Sequence, residues 1–290
     1  MTTHRSRHTY RMATDDPGPL VQRLVLGAEL RELREAAGVS PEEAARHLTW
    51  YDTKISKIEN GDGKLTHAQV AKLLELYRAT ESTAERVRLL AKEAGRKVPA
   101  VRVTDWAKKY VALERSATEI KVWFNDSIPG LLQIKDYARA VLSASVVVPS
   151  AEVEEMAASR ERRSERLTAT NSPLVWIVLG EAAIRSPMGG TAVLRAQLIR
   201  LREFATLDNV TIQIVPQSIG AHSGLGLCFT LLHLASARAF AYVESLNSAD
   251  YLPRPKHTQA YSLVFDRLRV AALSDTDSLA MIDRQIADLG

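Results

Sequence analysis

Cysteine is almost missing from this 290-residue chain, in which Cys228 stands alone. One thiol excludes an intramolecular disulfide and any cysteine-rich zinc centre. Its setting, "GLGLCFTLLHL", suits a small buried side chain better than a reactive one. No uncharged apolar run approaches the roughly 18 residues that a membrane-spanning helix requires. The phosphate loops GxGxxG and GxxxxGK(S/T) are both missing. Ser223 in "AHSGLG" is not a GxSxG nucleophile, and the seven histidines form no HExxH. Internal repeats and low-complexity tracts are absent too. Neither a cofactor nor a metal is therefore expected, and nothing points to an enzyme. The first 19 residues are polar and lack the apolar segment of a secretory signal. They are read as a flexible arm, with the cytoplasm as the expected compartment.

What is present is ordinary in amount and uneven in placement. A composition of 46% apolar and 25% charged residues is that of a soluble globular protein. The length exceeds the roughly 100 to 200 residues of one domain, so two domains are expected. Residues 1 to 110 carry 20 Lys and Arg against 15 Asp and Glu, whereas the remainder carries 18 against 19. The first part is the one suited to a polyanion.

That part is written in helix signals. Ser40-Pro41-Glu42-Glu43 is a capping box with proline at the first helical position. Ala44, Ala45 and Leu48 then fall on one face. After the turn "TWY", Asp52 or Thr53 starts another helix. Ile55 and Ile58 share one face of it, Thr53, Lys54 and Lys57 lie off that face, and Asn60-Gly61 stops it. Leu26, Leu30, Leu33 and Ala37 make the preceding stripe. Thr66 with Gln69 caps a helix carrying Val70, Leu73, Leu74 and Tyr77, and Ser82 with Glu85 begins one that ends at Gly95.

With this spacing of Ser40, Ala45, Ile55, Ile58, Asn60 and Gly61, residues 26 to 95 resemble the five-helix, lambda-repressor-like or XRE-type helix-turn-helix domain. The resemblance implies double-stranded DNA as partner, with the helix after "TWY" in the major groove. Asp52, Thr53 and Lys57 match base-reading positions, and Lys54 is a neighbouring candidate for base or phosphate. Ser40 and Asn60 match phosphate contacts, and Lys64 adds another. Asp52 departs from the Gln or Ser common at its position; it either accepts from cytosine N4 or only caps the helix. Trp50 and Tyr51 are expected to brace the helix pair, with sugar or phosphate contact as the alternative.

Beyond Gly95 the character changes. "RKVPAVRVTDW" reads as a connector, which places the arm at 1–19, the DNA-binding domain at 20–100 and a second domain at 101–290. After a helix, a short strand-like segment, the turn Ile128-Pro129-Gly130 and another helix comes a charged helix, Ala151 to Thr168, whose "RERRSER" is expected to be a solvated face. "LVWIVLG", "TAVLRAQLIRLREFATL" and "NVTIQIVP" form a strand, helix, strand unit, and "LCFTLLHL" with "AFAYVES" a hairpin. Two helices close the chain. The expectation is an α+β or mixed α/β domain with about four core strands.

"IPGLLQIKDYARAVL", "LVWIVLGEAAIRSPMGG", "FTLLHL", "YVES" and "YSLVFDRLRVAALSDTDS" resemble the large domain of actinobacterial WhiJ-like, antitoxin-like regulators. Ile134 stands where that family more often has Thr. The resemblance implies a small BldB-like protein as partner. The protein is expected to be a cytoplasmic, nucleoid-associated repressor, and a homodimer because one helix-turn-helix reads only a few base pairs. Polar residues after strands, namely Glu181, Arg185, His222, Glu244 and Asn247, are the candidates for a partner or small-molecule effector site. Two other readings stand beside this one. In the first, an antitoxin-like protein neutralises its partner and autoregulates. In the second, an enzyme is fused to a DNA-binding module, which requires Glu181, His222 and Glu244 to converge.

Overall fold

The computed structural model describes residues 17–51, 53–97 and 107–290. Residues 1–16 of the arm, Asp52 and residues 98–106 of the connector lie outside them. Five helices come first: Gly18–Ala36 (α1), Pro41–His47 (α2), Thr53–Glu59 (α3), His67–Leu76 (α4) and Glu81–Ala94 (α5). α1 begins inside the stretch assigned to the arm. The box at Ser40 closes in both directions, Glu43 N donating to Ser40 Oγ at 3.1 Å and Ser40 N to Glu43 Oε2 at 2.7 Å. Thr66 and Gln69 repeat it. α5 departs from expectation, for Thr80 caps it in place of Ser82. Starting one residue past Thr80 puts Ala84, Val87, Ala91 and Ala94 on the buried side.

Leu26, Leu30, Ala44, Ala45, Ile55, Ile58, Val70 and Leu73 share one core. Its tightest point is the crossing of α1 over α3. A Cβ on Gly27 would lie 2.5 Å from the Glu59 carbonyl oxygen and 2.6 Å from that of Ile58. Gly61 ends the turn after α3 with φ +75°, a conformation that favours glycine. The other side of α1 serves a different core: Val21, Leu24 and Val25 are buried among residues of the second domain.

That domain runs Ala107–Ser116 (α6), Ala117–Phe124 (β1), Lys135–Ser143 (α7), Val153–Arg163 (α8), Leu174–Gly180 (β2), Glu181–Arg185 (α9), Thr191–Phe204 (α10), Val210–Val215 (β3), Phe229–Leu234 (β4), Ala239–Glu244 (β5), Ala249–Leu252 (β6), Pro255–Ala271 (α11) and Asp275–Asp288 (α12). The strands form one mixed sheet of order β3-β2-β1-β4-β5-β6, so about four is corrected to six. β1 is central, parallel to β2 and antiparallel to β4. Its alternating Glu119, Lys121 and apolar residues disguised a core strand as a short segment. β6 has four residues and no apolar alternation to announce it.

Ile212, Ile177, Val122, Thr230, Tyr242 and Tyr251 stand side by side across the six strands. The row is apolar where Leu194, Leu198 and Leu201 of α10 share its core, and polar-aromatic toward β5 and β6. The opposite face packs Trp123, Phe229 and Leu231 against Phe265 and Leu268 of α11. "RERRSER" also differs from expectation. Arg163 turns inward onto buried Glu114, and Arg160 donates to Gln133. The two arginines continue the stripe of Val153, Met156 and Ala157 at helical spacing, so the packed face of α8 carries both, each half-buried.

Gly27→Ala is expected to lower stability by about 1 to 3 kcal/mol, measured by chemical denaturation, because α1 and α3 must part. In an uncrowded helix the same change gains up to about 1 kcal/mol, so the sign of the effect is diagnostic.

Candidate nucleic-acid interface

α3 divides cleanly. Ile55 and Ile58 enter the core, and Thr53, Ser56 and Lys57 are exposed on the outer side. Lys54 is half-buried with its ammonium 4.0 Å from the centre of the Trp50 ring, and Trp50 packs against the helix-turn-helix core. Trp50 therefore braces the turn. Tyr51 does not, being 89% exposed, and its ring is free to meet sugar or phosphate. Ser40 Oγ accepts the Glu43 amide in its cap, and its hydroxyl also hydrogen-bonds the Glu42 carboxylate. Lys64 is exposed in the loop after α3. Asp52 lies outside the described residues. Ser56 went unremarked as an outward-facing neighbour of Thr53 and Lys57, although the three-residue step from Thr53 to Ser56 was there to find.

What holds this face outward is a charged residue that sequence reasoning passed over. Glu59, with its side chain 3% exposed, receives Arg34 Nε at 2.6 Å on Oε1 and Arg34 NH2 at 3.0 Å on Oε2. Arg31 Nε adds a bond at 2.8 Å. Burying these charges is tolerable because the fork and both carboxylate oxygens are matched; losing one partner would strand the other. The signal was available as Ile55, Ile58 and Glu59 at i, i+3 and i+4, facing arginines three apart on α1. Asn60 is tied into the same network, its side-chain oxygen accepting from Arg31 NH2 at 3.3 Å.

The second domain reaches this helix directly. Lys109 of α6 donates to the Asn60 carbonyl oxygen at 2.8 Å and pairs with Asp62 at 2.6 Å. On the outer side of α1, Arg238 bridges Glu29 and Glu32, and Arg254 pairs with Glu35.

The strand-end residues of the second domain do not gather. Glu181 accepts from Arg185 Nε at 2.6 Å and from the Gln217 amide at 2.8 Å, which holds its carboxyl below the usual range, and Arg185 also reaches Gln285. His222 stands edge-on to Trp123, on the face under α11. Glu244 accepts from Tyr242 on the opposite face at 2.6 Å, and Asn247 is exposed in the turn between β5 and β6. Glu181, His222 and Glu244 thus occupy three separate surroundings. Burial raises the Cys228 thiol pKa, as expected of an unreactive cysteine.

A helix-turn-helix domain model matches residues 25–90, and the family described as Domain of unknown function (DUF5753) matches residues 107–284, more than half of the chain. The chain belongs to the DUF5753 family. No curated protein matches it. The DUF5753 region contains all six strands and begins at α6, the helix that carries Lys109. No helix among the described residues is long and apolar enough to cross a membrane.

If Thr53 and Lys57 read bases and Lys64 anchors phosphate, the two roles are separable by substitution. Thr53→Ala and Lys57→Ala are expected to change which operator positions matter, whereas Lys64→Ala should weaken every sequence alike and reduce the salt slope by about one. Binding titrations over a set of duplexes and salt concentrations make the distinction. Uniform loss for all three variants would mean that the reading face lies elsewhere.

Proposed function

We propose that the protein is a sequence-specific DNA-binding regulator, acting as a repressor, whose DUF5753 domain adjusts operator affinity in response to a bound partner or effector. The observation that carries the reading is the outward row of Thr53, Ser56 and Lys57 on a helix fixed from behind by the buried Glu59 ion pairs. Cations neutralise phosphates and give a salt-dependent baseline, while a few contacts to base edges supply about 1 to 3 kcal/mol of discrimination each. One helix-turn-helix reads few base pairs, so the reading places two copies on an inverted repeat.

The regulatory half of the proposal rests on Lys109. Its ammonium grips the turn that ends the reading helix, at Asn60 and Asp62, from a helix that is part of the DUF5753 domain. A ligand that moves α6 changes that grip, and coupling of this kind is reciprocal: DNA must alter the ligand's affinity by the same factor.

Lys109→Ala leaves every outward side chain of α3 in place. It is expected to weaken operator binding on the order of 2- to 10-fold, the worth of a hydrogen bond or ion pair of this kind, with an unchanged salt slope. Titrating the full-length variant at several salt concentrations checks this. A slope reduced by about one would make Lys109 a phosphate contact instead, and no change at all would remove the link between the domains.

A further inference from the structure

Arg163 and Arg160 of α8 lie near the polar-aromatic half of the sheet row, and only the first is ion-paired with a carboxylate. Arg163 is fully matched, its Nε and NH2 meeting the two oxygens of Glu114 at 2.7 and 2.6 Å. Arg160, one turn earlier on α8, is not. Its NH1 donates to the neutral amide oxygen of Gln133 at 2.9 Å, and among the described residues no carboxylate comes within ion-pair distance of it. Glu244 acts on it only through space.

The surroundings are built for this side chain. Gln133 is buried, and its amide nitrogen is held by the Ile128 carbonyl at 2.7 Å, which fixes the oxygen toward Arg160. Gly130 lies against both guanidinium side chains. Tyr110 and Tyr242 stack at 4.4 Å between centroids, and Arg163 sits over the Tyr110 ring at 5.3 Å. Arg160 is nevertheless only half-buried, so part of its side chain still reaches solvent. Desolvation, with Arg163 nearby, lowers its pKa to about 10, whereas Glu114 more than offsets the burial of Arg163. A desolvated fork that still meets solvent and lacks an anionic partner is the arrangement that accepts one from outside.

We propose that Arg160, positioned by Gln133 beside the Arg163–Glu114 pair, is the receptor for the carboxylate of a small organic acid. A guanidinium with no carboxylate at ion-pair distance can still take one, and its planar fork fits a carboxylate with two parallel bonds. This rests on the effector reading above, to which it supplies a ligand class. The route to DNA is short: Tyr110 follows Lys109 on α6, and its amide donates to the Tyr251 hydroxyl at 2.9 Å.

The test begins without DNA, so that the site and the regulatory reading fail separately. Thermal unfolding of the full chain is compared in sodium acetate, sodium benzoate, inorganic phosphate and sodium chloride at equal ionic strength. A carboxylate that binds only the folded state should raise the midpoint by about 2 to 4 °C or more once it exceeds its dissociation constant several-fold. Arg160→Met should abolish the increment, and Arg139→Met, on the exposed side of α7, should keep it. Arg160→Lys retains the cation but not the fork. It should need about tenfold more carboxylate for the same shift, and it stands in if the Met variant fails to fold. No carboxylate-specific shift, a shift with phosphate alone, or a shift that survives at Arg160→Met would overturn the assignment. A carboxylate that stabilises the protein yet leaves operator affinity unchanged would keep the site and remove its regulatory role.

Discussion

α1 has to satisfy two cores at once, and the rest of the molecule is arranged around that constraint. Leu26 and Leu30 belong to the helix-turn-helix bundle, whereas Val21, Leu24 and Val25 belong to the core of the DUF5753 domain. A helix with apolar residues on two sides is not stable as a surface helix of either unit alone. The reading helix is then set by α1: Gly27 lets the backbones touch, and Arg31 and Arg34 hold Glu59. The position of the outward face of α3 is thereby fixed relative to a sheet that begins only at Ala117.

Charge on α1 is sorted in the same way. Its arginines point to α3 and are consumed by Glu59, and its outer glutamates meet Arg238 and Arg254 of the second domain. Exposed pairs such as Arg254–Glu35 contribute little to stability. The buried Arg34–Glu59 pair contributes specificity of placement: shifting α3 along α1 would part a matched fork and leave charges in a low-dielectric interior. The net basic excess of the first 110 residues is therefore not spread evenly. Lys57 and Lys64 are left exposed, whereas Arg31 and Arg34 are consumed by Glu59.

The local grammar of the sequence was legible because it is written in contiguous residues. Ser40 with Glu43 and Thr66 with Gln69 declare helix starts, and the hairpin "LCFTLLHL" and "AFAYVES" declares itself by its turn. What was not legible depends on partners distant in the chain. β1 is a core strand only because β2 and β4 flank it, and its charged residues hid that. Arg160 and Arg163 look solvated in a mixed-charge run, and become interior only once Glu114 and Gln133 are brought to them from α6 and the loop after β1. The strand-end group failed for the opposite reason. Glu181, His222 and Glu244 share an end of the sheet in topology but are divided between its two faces and across several strands, which spacing along the chain does not reveal.

If α1 joins the two cores, the helix-turn-helix and the DUF5753 domain unfold together. Differential scanning calorimetry of the full chain addresses this directly. The account predicts one cooperative transition that moves to lower temperature as a whole when Val21, fully buried at the seam, is replaced by Ala. Two separate transitions, with the one belonging to the helix-turn-helix unmoved by that substitution, would contradict it.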